Sequence, residues 1–390
     1  MSSWADRAPG VYREDRFLKP EPKLPTGVAG FVGFGRPRDP GKRPVAPCTP
    51  IALHHREDFA LCFEADKDSY LADAVIGFFA NGGARCYVAY AERTEQPPET
   101  NEKRLEEAID ALVPLNDLDV IAVPDAAILG TDAMADLQGW LLRHCAEHGD
   151  RFAILDMPKD VSARMAEEHR AAILTAAIHP AAAMSGALYY PWVTDSTSQK
   201  PVPPCGHVAG IYARSDARVG VFKAPANEEV QGAIDLEIEV TNDMQERFNP
   251  LGINCLRSFP GRGLRVWGAR TLSEDPQWRY INVRRLFITV RRWIEATMAW
   301  AVFEPNTPEL RARIQRELGG YLSGLWRLGA LQGRTAEQAF YVKCDAETHP
   351  PDAPPELLVT EIGLAPMAPA EFVVVRIVHR TPLTTSTGSG

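Results

Sequence analysis

Residues 69–90, Ser69-Tyr-Leu-Ala-Asp-Ala-Val-Ile-Gly-Phe-Phe-Ala-Asn-Gly-Gly-Ala-Arg-Cys-Tyr-Val-Ala-Tyr90, carry a helix, its stop and a strand in one stretch. Tyr70, Leu71, Ala74, Val75 and Phe78 recur at helical spacing, which predicts a helix over 68–81 with one apolar face. Asn81, Gly82 and Gly83 end it, because these residues tolerate the left-handed backbone of a helix C-cap. The apolar run 85–90 then reads as a strand.

The same alternation extends in both directions. Strands are predicted at 28–34, 119–124, 151–156 and 187–193, and helices at 55–66, 101–112, 131–148 and 161–177. Strands alternating with helices at this pace indicate a parallel sheet covered by helices. A Thr-, Ser- and Pro-rich loop at 194–206 separates this half from a second region that begins at 208–213. That region holds helices at 282–303 and 308–327 and strands at 338–345 and 356–364. The fold class is therefore α/β, two α/β regions with helix-covered mixed sheets between extended arms. The divisions fall at 1–26, 27–205, 206–369 and 370–390.

Both arms combine apolar anchors with features that resist a compact fold. Pro9, Pro20, Pro22 and Pro25 forbid a helix near the start, while Val11, Tyr12 and Phe17 supply apolar side chains. Near the end, Phe372, Val373, Val374, Val375 and Ile377 form a strand with almost no polar alternation. Such an edge aggregates unless it is paired, either within the chain or across copies. Residues 381–390 are small and polar.

Composition narrows the function. The chain has 390 residues, 45% of them hydrophobic, enough for sizeable cores, and a formal net charge of -9, which weighs against a general nucleic-acid binder. The seven cysteines are scattered singly with no C-x-x-C pair, as expected of reduced thiols made in a cytoplasm. The first ten residues lack the apolar core of a signal peptide, and no run of about 18 apolar residues predicts a membrane span.

Catalytic and cofactor motifs fail on inspection. Gly33-Phe34-Gly35 lacks the third glycine of a dinucleotide loop, with Arg38 in its place, and Gly261-Arg262-Gly263 has Val266 there. Gly41-Lys42 lacks the rest of a phosphate loop. His54 and His55, near Glu57 and Asp58, point about 100° apart on a helix and do not converge on a metal. Asp125 and Asp156 follow strand ends, where α/β enzymes place catalytic groups, but acidic residues there also cap the next helix. No catalytic residue, cofactor or metal is expected.

Residues 257–292 are unusual in holding Arg257, Arg262, Arg265, Arg270, Arg279, Arg284, Arg285, Arg291 and Arg292 against Glu274 and Asp275, with no lysine. Arginine suits planar, bidentate pairing with carboxylates or phosphates. One basic patch on an acidic protein suggests an anionic partner, and an acidic protein face fits the overall charge better than nucleic acid.

Several stretches resemble the contractile tail sheath family. These are Pro9-Gly-Val-Tyr12, the helix–Gly-Gly–strand unit at 69–88, Asn249-Pro-Leu-Gly-Ile-Asn254, and Gly261-Arg-Gly-Leu-Arg-Val-Trp-Gly-Ala-Arg-Thr-Leu272. Trp278-Arg-Tyr-Ile-Asn-Val-Arg-Arg285, Phe303-Glu-Pro-Asn306 and Pro369-Ala-Glu-Phe372 complete an ordered series over about 9–378. The resemblance implies a non-enzymatic subunit of a helical stack of hexameric rings around an inner tube, within a phage tail or a contractile injection particle. It implies baseplate and tail terminator or cap proteins as further partners, with no nucleic acid and no direct membrane insertion. It also implies that the arms add strands to neighbouring subunits and that a sheath helix grips the tube through charge. Arg284, Arg285, Arg291 and Arg292 are the candidates for that grip or for sheath–sheath contacts. The chain is short for the family and leaves no room for large outer insertions. The competing readings are a two-domain α/β enzyme that holds a small anion with these arginines, and a nucleic-acid-binding module.

Overall fold

The computed structural model describes residues 24–38, 46–95, 98–350, 354 and 356–371. The first part of the chain runs through β1 (Ala29–Pro37), β2 (Ile51–Leu53), α1 (Arg56–Cys62), β3 (Phe63–Ala65), α2 (Leu71–Ala80) and β4 (Cys86–Ala91). It continues with α3 (Pro98–Asp110), β5 (Val120–Ala122), α4 (Thr131–His148), β6 (Phe152–Asp156), α5 (Ala163–Ala176) and β7 (Gly186–Tyr190). Three short strands follow around one helix: β8 (Val193–Asp195), β9 (Pro201–Val202), α6 (Cys205–Arg218) and β10 (Ala233–Leu236). Then come α7 (Asn242–Phe248), β11 (Ile253–Phe259), β12 (Gly263–Trp267), α8 (Ile281–Thr297), α9 (Pro308–Arg327), α10 (Ala336–Ala339), β13 (Phe340–Lys343) and β14 (Glu361–Leu364).

Local chemistry explains the boundaries. α4 stops at Gly149, which takes φ 67° as a left-handed cap. Thr307 caps α9 by accepting the Leu310 N–H, with Pro308 in the first turn. Ser162 caps α5 in the same way through the Met165 N–H.

One nine-stranded sheet dominates, in the order β12-β11-β7-β6-β5-β1-β4-β2, with β3 pairing β1. β4, β1, β5, β6, β7 and β11 run parallel, whereas β2, β3 and β12 are antiparallel to their neighbours. Strand side chains alternate between the faces. Val32 and Phe34 meet α3, α4 and α5 on one side, while Phe31 meets α2 and α6 on the other. Burial on both faces is what makes the strands read as continuous apolar runs.

The sheet crosses the expected division at 205/206. β11 pairs β7 in parallel, with Ile253 opposite Leu188, and the β11–β12 hairpin extends the same sheet. Residues 208–213 lie inside α6, which packs on α2. Helix 55–66 is shorter than expected because Phe63–Ala65 turns to pair β1. Helix 282–303 ends at Thr297 and passes into a 3₁₀ turn over Met298–Ala301.

Residues beyond α8 form a smaller unit. α9 packs on β13, which pairs with β14 in a two-stranded sheet. Its core holds Leu286, Val290, Leu322, Leu331 and Ala339, with a neighbouring cluster of Leu310, Ile314 and Leu318. α8 serves both units, since Ile281 and Ile288 belong to the main core and Leu286 and Val290 to the smaller one. Among the described residues no helix is long and apolar enough to cross a membrane. The arm residues Val11, Tyr12, Phe17, Phe372, Val373, Val374, Val375 and Ile377 lie outside the described residues.

The α2–α6 contact depends on glycine. A Cβ on Gly206 would stand 2.2 Å from the Ala74 carbonyl oxygen, and one on Gly210 would stand 2.3 Å from that of Phe78. Backbone cannot yield as a flexible side chain does. Gly210→Val should therefore cost about 1–3 kcal/mol by overpacking. A lower urea midpoint at unchanged slope checks it.

Candidate functional site

Two of the four arginines singled out from sequence lie in the core. Arg285 donates from Nη1 to Asp216 Oδ1 at 3.0 Å and from Nη2 to Asp216 Oδ2 at 2.6 Å, and also donates to Asp119. All three side chains are buried. Asp119 Oδ2 accepts the Gly27 N–H at 2.7 Å, and the Tyr212 ring lies 4.8 Å from the Arg285 guanidinium. Arg292, two helical turns on, approaches Asp119 at 3.6 Å and donates to the Asn116 carbonyl at 3.2 Å. The network ties α8 to the start of β5 and to α6.

Burial acts on every member of this group. It would raise Asp119, but Arg285 and Arg292 outweigh it and hold Asp119 below the usual carboxylate range. Burial raises Asp216 despite Arg285. Burial would lower Arg285, but Asp119 and Asp216 outweigh it and raise it instead. A guanidinium that loses its hydration so completely is held by paired carboxylates, not by solvent.

Arg285 and Arg292 are therefore corrected from surface candidates to core fasteners. The sequence carried a usable signal: positions 281, 285, 288 and 292 share one stripe of α8, so both arginines stand in line with Ile281 and Ile288. Arg284 is partly buried, with its guanidinium 5.6 Å from the Trp278 ring and 3.4 Å from Ser185 Oγ. Arg291 is half exposed, donates to Glu295 at 2.8 Å and lies over Gly149 at the end of α4. A cation is favoured there by the helix dipole.

The remaining arginines disperse. Arg262 and Arg265 donate to Asn227, Arg257 to Asn242, and Arg270 to Glu371. They do not converge on one cavity, as the anion-binding enzyme reading requires. A cleft of about 640 Å³ at the carboxyl ends of β1 and β4 is walled by Asp66, Asp68 and Glu95, with Arg93 paired to Asp68. Its acidic lining opposes an anion.

Asp125 and Asp156 hold helix starts. Asp125 accepts from the Phe34 and Tyr70 N–H groups and from Ser69 Oγ, each at 2.6 Å, which fixes β1 against the first turn of α2. Asp156 accepts the Cys205 N–H at 2.9 Å, where α6 begins. Burial pushes Asp125 up to about 6 and Asp156 up to about 7. At the start of α1, Asp58 accepts the His54 and His55 N–H groups at 2.9 Å.

The surfaces fitted to contact lie elsewhere. Among the described residues no third strand pairs the β13–β14 sheet; only the continuation of β14 is bridged, by Leu331 opposite Pro366. Tyr341, Leu357, Val359 and Met367 are exposed in and around it. At the α8–α9 turn, Phe303 is fully exposed and takes φ 69°, and Val302 beside it is also exposed. A left-handed backbone is costly for a bulky side chain.

Two measurements check the buried chemistry. Arg285→Ala leaves Asp216 without its cation and Asp119 with only the more distant Arg292, and should lose about 3–5 kcal/mol, whereas Arg291→Ala should stay within about 0.5 kcal/mol. Equilibrium denaturation separates them. Asp156 binds a proton in the folded chain that the unfolded chain has already released above pH 4, so its contribution weakens stability as pH rises from 4 to 7. Asp156→Asn should flatten the fall in stability over that range, as read by urea titrations at pH 5 and pH 8.

Comparison with known proteins agrees with this architecture. The model of the phage tail sheath protein central domain matches residues 100–272, and that of the phage tail sheath C-terminal domain matches 273–380. The tail sheath protein of Vibrio phage KVP40 is 27% identical over 153 residues, 38% of this chain and 22% of that protein. The curated tail sheath proteins that the chain matches are spanned over less than two fifths of their own length. Solved structures match far more completely. The helical sheath of the anti-feeding prophage in its contracted state is 30% identical, with 96% of this chain and 99% of that one covered and a TM-score of 0.74. The sheath of the extracellular contractile injection system PVC, also contracted, is 28% identical with 96% and 98% covered and a TM-score of 0.73. A nine-stranded sheet sharing α8 with a small open-edged unit, matched along almost its full length by these sheaths, places the chain in the contractile tail sheath family.

Proposed function

We propose that this chain is a structural subunit that polymerises as stacked hexameric rings around an inner tube and shortens to drive that tube through a target envelope. Baseplate and terminator or cap proteins would bound the stack. The observation that carries the reading is the β13–β14 sheet. Two strands alone are marginal in water, and an open edge invites another strand. The apolar segments at 11–18 and 372–378 are candidate strands at the two chain ends. Added to neighbouring copies, they supply main-chain hydrogen bonds for affinity and side-chain pockets for register. Contacts that run head to tail without closing extend into a filament.

Contraction needs a second packing of lower free energy, reached while the exchanged strands keep subunits attached. The exposed Val302 and Phe303 suit a surface that is covered by a neighbour. Any charge-based grip on the tube rests on Arg291, the most exposed of the four candidate arginines, with Arg284 partly available beside it. Exposed ion pairs are individually weak, which suits a grip that releases.

The test is co-expression with the tube partner, read by negative-stain microscopy. The full chain should form long tubular sheaths. Deletion of residues 372–390 should leave a folded chain with an unchanged melting temperature that forms none. A deleted chain that polymerises like the full one rejects strand exchange by this arm, and a full chain that remains monomeric beside the tube rejects the sheath role.

A further inference from the structure

The chain changes partners between Met367 and Glu371. Residues 361–367 belong to the smaller unit. Gln332 N–H donates to the Ala365 carbonyl at 2.8 Å, Ala365 N–H to Ala339 at 2.9 Å, and Met367 N–H to Ala330 at 3.2 Å. Asn282 Nδ2 adds a bond to the Met367 carbonyl at 2.9 Å. Four residues later the chain is fastened to the large sheet instead. Glu371 accepts from Arg270 Nε at 2.9 Å and from Nη2 through its second oxygen, a bidentate pair with side chains 14% and 11% exposed. The third nitrogen of Arg270 donates to the Asn249 carbonyl at 3.0 Å.

Arg270 is itself held tightly. Its N–H donates to Asn254 Oδ1 at 2.8 Å, and its carbonyl accepts from Asn254 Nδ2 at 2.7 Å. The same amide reaches the Leu188 carbonyl at 3.2 Å, so the buried Asn254 on β11 joins Arg270 to β7. A continuous route therefore runs from Glu371 through Arg270 and Asn254 into β11 and β7, at one end of the row of parallel strands. Two separate sequence stretches, 261–272 and 369–372, meet in this pair.

We propose that the Arg270–Glu371 pair is the root anchor of the C-terminal arm, passing tension on the arm to the nine-stranded sheet and sparing the two-stranded one. This rests on the strand-exchange reading above. Without such an anchor, a pull on the arm acts on the few bonds that hold 365–367 to Ala330, Gln332 and Asn282, and then on β14, which peels from β13 one hydrogen bond at a time. With it, the pull meets a planar, bidentate, largely buried ion pair. Lysine could not reproduce that pair, because its ammonium offers no fork.

The experiment compares Arg270→Gln, Glu371→Gln and the swapped pair Arg270→Glu with Glu371→Arg in the full chain. Hydrogen exchange is measured over 361–371 in the unassembled protein, with β5, β6 and β7 as the internal reference. The single variants should exchange on the order of a hundredfold faster in that segment while the reference strands stay unchanged. Assembled with the tube partner, they should lose long sheaths on shearing or contraction, and the swap should restore both properties in part. Should a Gln variant not fold, Arg270→Lys keeps the charge and should show the same two losses in smaller measure. Unchanged protection at 361–371 overturns the anchor. So does a freed segment in sheaths that survive contraction intact, an outcome that leaves the sheath role standing. A wild-type chain that forms no sheath removes both.

Discussion

The architecture turns on one desolvated guanidinium. Arg285 sits among Asp119 at the root of β5, Asp216 on α6 and the ring of Tyr212, with no water-facing surface. A charge so placed is tolerable only with its carboxylates present, so the three elements must come together for any of them to be buried. Because α8 also carries Leu286 and Val290 into the smaller unit, fixing α8 to the large sheet fixes the position of α9 and of the β13–β14 sheet. The ion cluster sets where the open edges point.

Strong and weak contacts are divided by location. Inside, glycines at the α2–α6 crossing, bonded carboxylates at helix starts and the Arg285 cluster make a body with little freedom to deform. Outside, the exposed pairs Arg291–Glu295 and Arg313–Glu317 are of the kind that salt and water weaken. The segment leading to the C-terminal arm is the exception at the surface, since Glu371 is clamped by Arg270. Under the proposed sheath role, a body of this kind with replaceable surface contacts would let subunits rotate against one another while their arms keep them connected.

Much of the fold was legible along the chain. The readings 131–148 and 308–327 coincide with α4 and α9, because Gly149, Thr307 and Pro308 fix those ends locally. The parallel strands at 29–37, 86–91 and 152–156 were also readable as apolar runs. Elements whose ends depend on partners were misread. The turn of 63–65 from helix into strand is decided by β1, and the helix read over 282–303 gives way at Thr297 to a 3₁₀ turn. Of the site candidates, Asp125 and Asp156 were assignable to helix starts, but nothing local said how deeply they would be buried. Arg285 and Arg292 carried a stripe-position signal that the density of arginines around them obscured.

The sequence by itself determined the alternation of helices and strands, the failed cofactor loops, the apolar chain ends and an arginine-rich stretch. Each of these is written in residues a few positions apart, through backbone preference and periodicity. Only the tertiary structure decided which arginines are structural and which are free. A guanidinium's role depends on the distance to carboxylates 69 and 166 residues away and on the water excluded around them. It likewise decided that one sheet spans both halves of the chain, because strand pairing is a contact between segments that carry no mark of each other.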